Sequence, residues 1–304
     1  MPRNSSGSKF LNEPDGQHVA GYNSDVAEAL VGVAADLVRA LGFMARHVVL
    51  IGGLVPGLLV PVLDPGIEPH VGTADIDLCL SVALVEGDTE AYERIETVLK
   101  SLGFHEGDAS FRWQRHADIG FTVEFFCPAG EQRPPGRVFR PALADNPTGK
   151  HNFGGRLSAL ALDAGELLTT DIEVIHPSVV LPENKGMLDM DLRVTGPLAF
   201  LTAKIDALRG RDKPKDAYDI VWLIESWPGG PTAAAQSFSQ RPVFQRSEVV
   251  TALEAIRDAF AAGDRVGARS YARFLATDAR EEPQLERRAV GAIAEFTAAL
   301  PIRS

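Results

Sequence analysis

The stretch HVGTADIDLCL, His70 to Leu80, places two aspartates one residue apart inside an apolar run. On a β-strand, residues i and i+2 point to the same face. Asp75 and Asp77 therefore share one face, and Ile76, Leu78 and Leu80 share the other. Two unpaired carboxylates repel and lose hydration, so an apolar core does not tolerate them. A fold that uses this strand must bury one of its faces and border the other with a polar site. A hard divalent cation such as Mg²⁺ suits the carboxylate oxygens, because it keeps several waters and takes other ligands from phosphates. A strand end facing solvent, or pairing with arginine, is the plain alternative.

The rest of the chain reads as strands first and helices later. SDVAEALVGVAADLVRAL, residues 24–41, has apolar positions at helical spacing, with Ser24 or Asp25 as cap and Gly42 as stop. HVVLIGG reads as a buried strand ending at Gly52-Gly53. The next segment carries four prolines and has room for a short helix near Leu54–Val60. DTEAYERIETVLKSL is an amphipathic helix. FRWQRH and IGFTVEFFC are strands separated by Ala117-Asp118. Residues 128–160 read as a long loop, and TDIEVIHP as a strand. GPLAFLTAKIDALRGR and KPKDAYDIVWLIESW are helices opened by Pro197 and Pro214. PGGPTAAAQSFSQRP reads as a linker or surface loop, and residues 247–300 as two or three helices. No internal repeat is visible.

This order predicts an α/β (α+β) domain followed by a helical one. The expected boundaries are a disordered lead-in over 1–20, a catalytic domain over 21–180 and a helical domain over 181–304. The first 17 residues hold no apolar segment of the kind a secretory signal needs, and no run is long and apolar enough to span a membrane. Cys79 and Cys127 make no disulfide framework, and reduced thiols fit a cytoplasmic protein. The net charge of −11 argues against non-specific coating of nucleic acid. Against that background, residues 204–215 carry five basic residues (Lys204, Arg209, Arg211, Lys213, Lys215) and two acids. That run is either a solvated helix end or a site for an anion.

Three further features bear on chemistry. Gly52-Gly53 ends a strand, and paired glycines let a backbone approach a triphosphate closely. Glu124 is the single acid in the apolar strand FTVEFF and needs a partner. Glu173, in DIEVI, is its rival as a third carboxylate, and Glu124 is preferred because its flanks are more apolar and it follows the two aspartates by one helix and one hairpin. Asp216 and Asp219 fall at i and i+3 on one helix face, where they can orient Lys204, contact a base or ribose, or cap the helix. Tyr218 and Trp222, on the same helix, read as core residues.

A strand ending in Gly-Gly, then a strand with the two aspartates, then a strand with one acid, resembles the nucleotidyltransferase superfamily. AKIDALRGRDKPKDAYDIVWLI is similar to the helical signature of AbiEii-type nucleotidyltransferase toxins. The resemblance covers about 30–225. Two features depart from its pattern. Twenty-one residues separate Gly53 from Asp75, about twice the usual spacing, and Val71 stands where an arginine is often found.

The resemblance implies a mixed sheet with flanking helices and transfer of an NMP from an NTP to an acceptor hydroxyl. It implies two Mg²⁺ ions on Asp75, Asp77 and Glu124, with Glu124 as general base. Gly52, Gly53 and Thr73 would line the phosphate loop. Lys204 and Lys215 would bind the nucleotide phosphates, and Asp216 would support Lys204 or the nucleotide. At the level of substrate it implies an RNA acceptor such as the tRNA 3′ end, and an antitoxin partner. A small-molecule or protein acceptor, or a nucleotide-binding sensor of the same fold, are the alternatives.

Overall fold

The computed structural model describes residues 16–81, 89–115, 120–140 and 157–301. The expected lead-in up to residue 15, the Ala117-Asp118 separator and residues 141–156 of the expected long loop lie outside the described residues.

The chain opens with α1 (Ser24–Leu41), whose cap is Asn23: its side chain accepts from the Asp25 N–H at 2.8 Å. Gly42, at φ +59°, stops the helix. β1 (Val48–Ile51) runs into the glycine turn and α2 (Val55–Leu59). β2 (Asp75–Leu80), α3 (Thr89–Ser101), β3 (His105–Glu106), β4 (Arg112–Arg115) and β5 (Phe121–Pro128) follow. The expected loop over 128–160 contains β6 (Val138–Phe139) and the first residues of β7 (Ala159–Leu162). Short two- and four-residue strands in a Pro/Gly-rich context leave no alternation to read, which is why the sequence hides them.

After α4 (Gly165–Thr170) come β8 (Ile172–Ile175), β9 (Ser178–Val180), β10 (Met187–Asp189) and β11 (Leu192–Thr195). The helical half holds α5 (Pro197–Gly210), α6 (Lys215–Glu225), α7 (Gly230–Ser239), α8 (Ser247–Ala259), α9 (Val266–Leu275) and α10 (Glu282–Ala299). The segment read as a linker is therefore the helix α7. Its Ala234, Ala235 and Phe238 are fully buried, so its glycines and prolines mark only its start.

The molecule is mixed α/β. The strand order β3-β4-β5-β2-β1-β11-β8 is one mixed sheet, with β7 beside the end of β5 and β6 beside β7. β2 runs parallel to β5 and antiparallel to β1. β11 pairs with β1 and β8, so one strand of the sheet comes from beyond residue 180.

The two faces of the sheet bury different cores. Ile76, Leu78, Leu80, Val123 and Phe125 face α1 and α3, packing on Leu30, Val33, Leu37, Ile95 and Leu99. Val49, Ile51 and Cys79 face the helices from α5 onward, on Phe200, Ile205 and Val221. The period of two thus turns Asp75 and Asp77 toward the helical half.

Candidate active site

A cleft of about 970 Å³ opens between the sheet and α5–α6. Gly52, Gly53, Thr73, Asp75, Asp77, Glu124, Lys204, Lys215 and Asp216, all marked in the sequence, line it. Arg112, Arg211 and Lys213 line it as well.

The register explains the carboxylates. Asp77 sits opposite Glu124 on the parallel pair β2–β5. Oxygens of Asp75, Asp77 and Glu124 lie within 4.8 Å of one another. Burial pushes the Asp77 carboxyl well above the usual carboxylate range, and the charges of Asp75 and Glu124 push it further. Three crowded hard oxygens with an unfavourable charge are the donor set a divalent cation neutralises, so these residues fit the metal the resemblance implies. Thr73 Oγ1 donates to Asp75 Oδ1, fixing that carboxylate. Arg112 Nε donates to Glu124 Oε1 at 2.6 Å from the neighbouring strand. Glu173 lies elsewhere: on β8 it pairs with Arg241, which also binds Asp171. Glu124 is the acid that joins the pair.

The glycines are needed for space. Gly52 has φ +74°, and a Cβ there would lie 1.8 Å from Asp77 Oδ2. A Cβ on Gly53 would lie 2.7 Å from Thr73 Cβ. Neither position accepts a side chain while Asp77 and Thr73 keep their places.

On the helical wall, Asp219 is a buried hub. Lys204 Nζ is 2.7 Å from its Oδ2, and Lys215 Nζ is 2.7 Å from its Oδ1. Burial alone would raise the Asp219 carboxyl, but Lys204 and Lys215 hold it far below the usual range. Burial opposes the charge of Lys204, yet Asp219 and Asp216 keep it protonated and raise it. Burial pulls Lys215 down against the charge of Asp219. Asp216 accepts from Lys204 at 3.0 Å and from Arg211 through two bonds of 2.9 Å. It supports the cations and is almost fully buried.

Lys204, Arg211 and Lys215 of the basic run are thus tied to the two acids that follow it, Asp216 and Asp219. Arg209 and Arg211 are exposed, and Arg211 still reaches Asp216. Tyr218 and Trp222 are buried core residues.

Two residues tied to the acids of the site were not singled out in the sequence, Arg112 and His70. His70 Nδ1 accepts from the Gly72 N–H at 3.0 Å, which places the proton of the neutral ring on Nε2. Nε2 then donates to Asp219 Oδ1 at 2.9 Å. The ring stacks on Tyr218, and Trp222 Nε1 donates to Glu68 O at 3.0 Å. The segment between Gly53 and Asp75 is therefore clamped onto α6. The alternation in FRWQRH set Arg112 on one face, but only the register of β4 on β5 reveals its partner.

No family model matches this chain, and no curated protein does. Among solved structures, it is similar to an antigenic nucleotidyltransferase-like protein from Paracoccidioides brasiliensis. The two are 15% identical over 89% of this chain and 94% of that one, with a TM-score of 0.40. No described helix is long and apolar enough to cross a membrane.

Proposed function

We propose that the cleft is a nucleotidyltransferase site, moving an NMP from an NTP to an acceptor hydroxyl. The observation that carries this reading is the carboxylate cluster of Asp75, Asp77 and Glu124 facing Lys204 and Lys215 across one cleft. A polyanion with its divalent counter-ions satisfies both walls at once, whereas either wall alone would accept a simpler ligand.

Gly52 and Gly53 let the phosphates approach the backbone at the end of β1. Lys204, Lys215 and Arg211 neutralise phosphate charge from α5–α6, held by Asp216 and Asp219. Asp75, Asp77 and Glu124 would hold the metal, Mg²⁺ in the family's pattern, which supplies charge neutralisation and a more acidic acceptor hydroxyl. Glu124, at the edge of the cluster away from the glycines, would take the acceptor's proton. Three of the five basic residues in 204–215 are tied to Asp216 and Asp219. That favours a triphosphate as their anion over an extended RNA surface, and the antitoxin partner rests on the resemblance alone.

The test is label transfer. Purified protein is incubated with Mg²⁺, each α-labelled NTP in turn, and separate RNA, protein and small-molecule fractions of a cell extract. Label should move to one fraction and vanish with Asp75→Ala. NTP binding without transfer to any fraction would overturn the transferase reading in favour of a sensor.

A further inference from the structure

The cleft is not uniform along the sheet. Strand pairing fixes its order: the Gly52-Gly53 turn after β1, then Asp75 and Asp77 on β2, then Glu124 on β5, then β7. The cations gather at the glycine end, where a Cβ on Gly53 would come within 3.4 Å of Lys215 Nζ. The other end is apolar. Phe126 follows Glu124 by two residues and so shares its face. Leu160 pairs directly with Phe126, and Leu162 continues that face. Phe111 lies with its ring centre 6.4 Å from that of Phe126, and Ala203 closes the compartment from α5. Two carboxylates line it, Asp163 and Asp206. Burial raises the Asp206 carboxyl, Arg209 opposes that rise, and Asp163 adds to it. Arg112, the cation among the described residues beside Glu124, is tied to Glu124 and Asp108.

We infer that the β7 end of the cleft is the acceptor compartment, and that it takes a small hydroxyl compound with an apolar or aromatic body and no phosphate. This rests on the transferase reading. Three observations support it. Half-buried aromatic and aliphatic side chains offer apolar area to a ligand. Asp163 and Asp206, the carboxylates that line this end, offer the phosphates of an RNA strand no cation to bind. Pockets for single small ligands run from about 300 Å³ upward, so a cleft of about 970 Å³ has room for a second ligand beside a nucleotide. The hydroxyl of such a compound would meet Glu124, which sits where the apolar wall begins. In the reaction, the acceptor oxygen bonds to the α-phosphorus, the bond to the β-phosphate oxygen breaks, pyrophosphate leaves, and the hydroxyl proton passes to Glu124.

The test separates this claim from turnover by measuring binding. The probe is 2-(2-naphthyl)ethanol, a fluorescent primary alcohol on an aromatic body, titrated into the full chain with and without saturating Mg-ATP. Saturable binding that persists with Mg-ATP is expected, weakened at least tenfold by Phe126→Ala and by Ala203→Trp. The second variant fills the compartment without opening a cavity, and retained Mg-ATP binding shows that either variant is folded. Displacement of the probe by Mg-ATP, or equal binding to both variants, would overturn the assignment. So would competition by a single-stranded oligoribonucleotide, which would place RNA in the compartment. Failure of label transfer with probe binding intact would instead count against the transferase reading alone.

Discussion

At the scale of single residues, the site sets a crowded carboxylate cluster against cations already paired to Asp216 and Asp219. Asp77 carries the largest conflict, half-buried between Asp75 and Glu124. In metal-free protein, Asp77→Asn should therefore raise Tm, by about 2–4 °C for roughly 1 kcal/mol of relieved repulsion. Adding Mg²⁺ should raise the Tm of the native chain and leave that of the variant unmoved. A variant that melts several degrees lower would mark Asp77 as structural. His70 gives the second residue-scale prediction. Burial lowers it from 6.5 to about 4, below its value in the unfolded chain. As pH falls, the unfolded chain is protonated first, so the contribution of His70 is complete above about 6.5 and declines toward about 4. The loss is at most about 3 kcal/mol across that window. Urea midpoints at pH 7 and pH 4.5 should differ more for the native chain than for His70→Gln, and equal differences would refute the assignment. The carboxylate pair and the glycines were legible because they are adjacent in sequence. His70 was not, because a lone histidine in a proline-rich segment carries no local signal of what it touches.

At the scale of elements, periodicity succeeded where one face is apolar over several turns or residues. α1, α3, β2 and β5 all fall where the spacing of apolar side chains puts them, since one buried face imposes its period on the sequence. It failed for α7, where glycines and prolines at the start and alanines in the middle resemble a linker. The burial of Phe238 shows what the helix does: its ring packs edge-on against Trp227 and Phe296. Phe238→Ala should cost about 3–5 kcal/mol, as expected for a large aromatic removed from a close-packed core. A cost under about 1 kcal/mol in chemical denaturation would return the segment to the linker reading.

At the scale of the molecule, the sheet and the helical half are joined through the site. β11 is drawn into the sheet immediately before α5, and the segment ahead of Asp75 is clamped to α6 through His70, Val71 and Glu68. The core that holds Val49 and Cys79 continues without interruption to Phe296. The sequence by itself determined that β2 must carry a carboxylate face, that Gly-Gly ends the preceding strand, and that Lys204 shares a segment with Asp216 and Asp219. Each follows from a period or spacing of a few residues, which the backbone geometry fixes locally. Only the tertiary structure decided that Glu124 rather than Glu173 completes the cluster, that Arg112 bonds it, and that Lys204, Arg211 and Lys215 are tied to Asp216 and Asp219. Those choices depend on strand register and on contacts such as His70 to Asp219, 149 residues apart. Packing alone brings such groups together, and no local pattern encodes it.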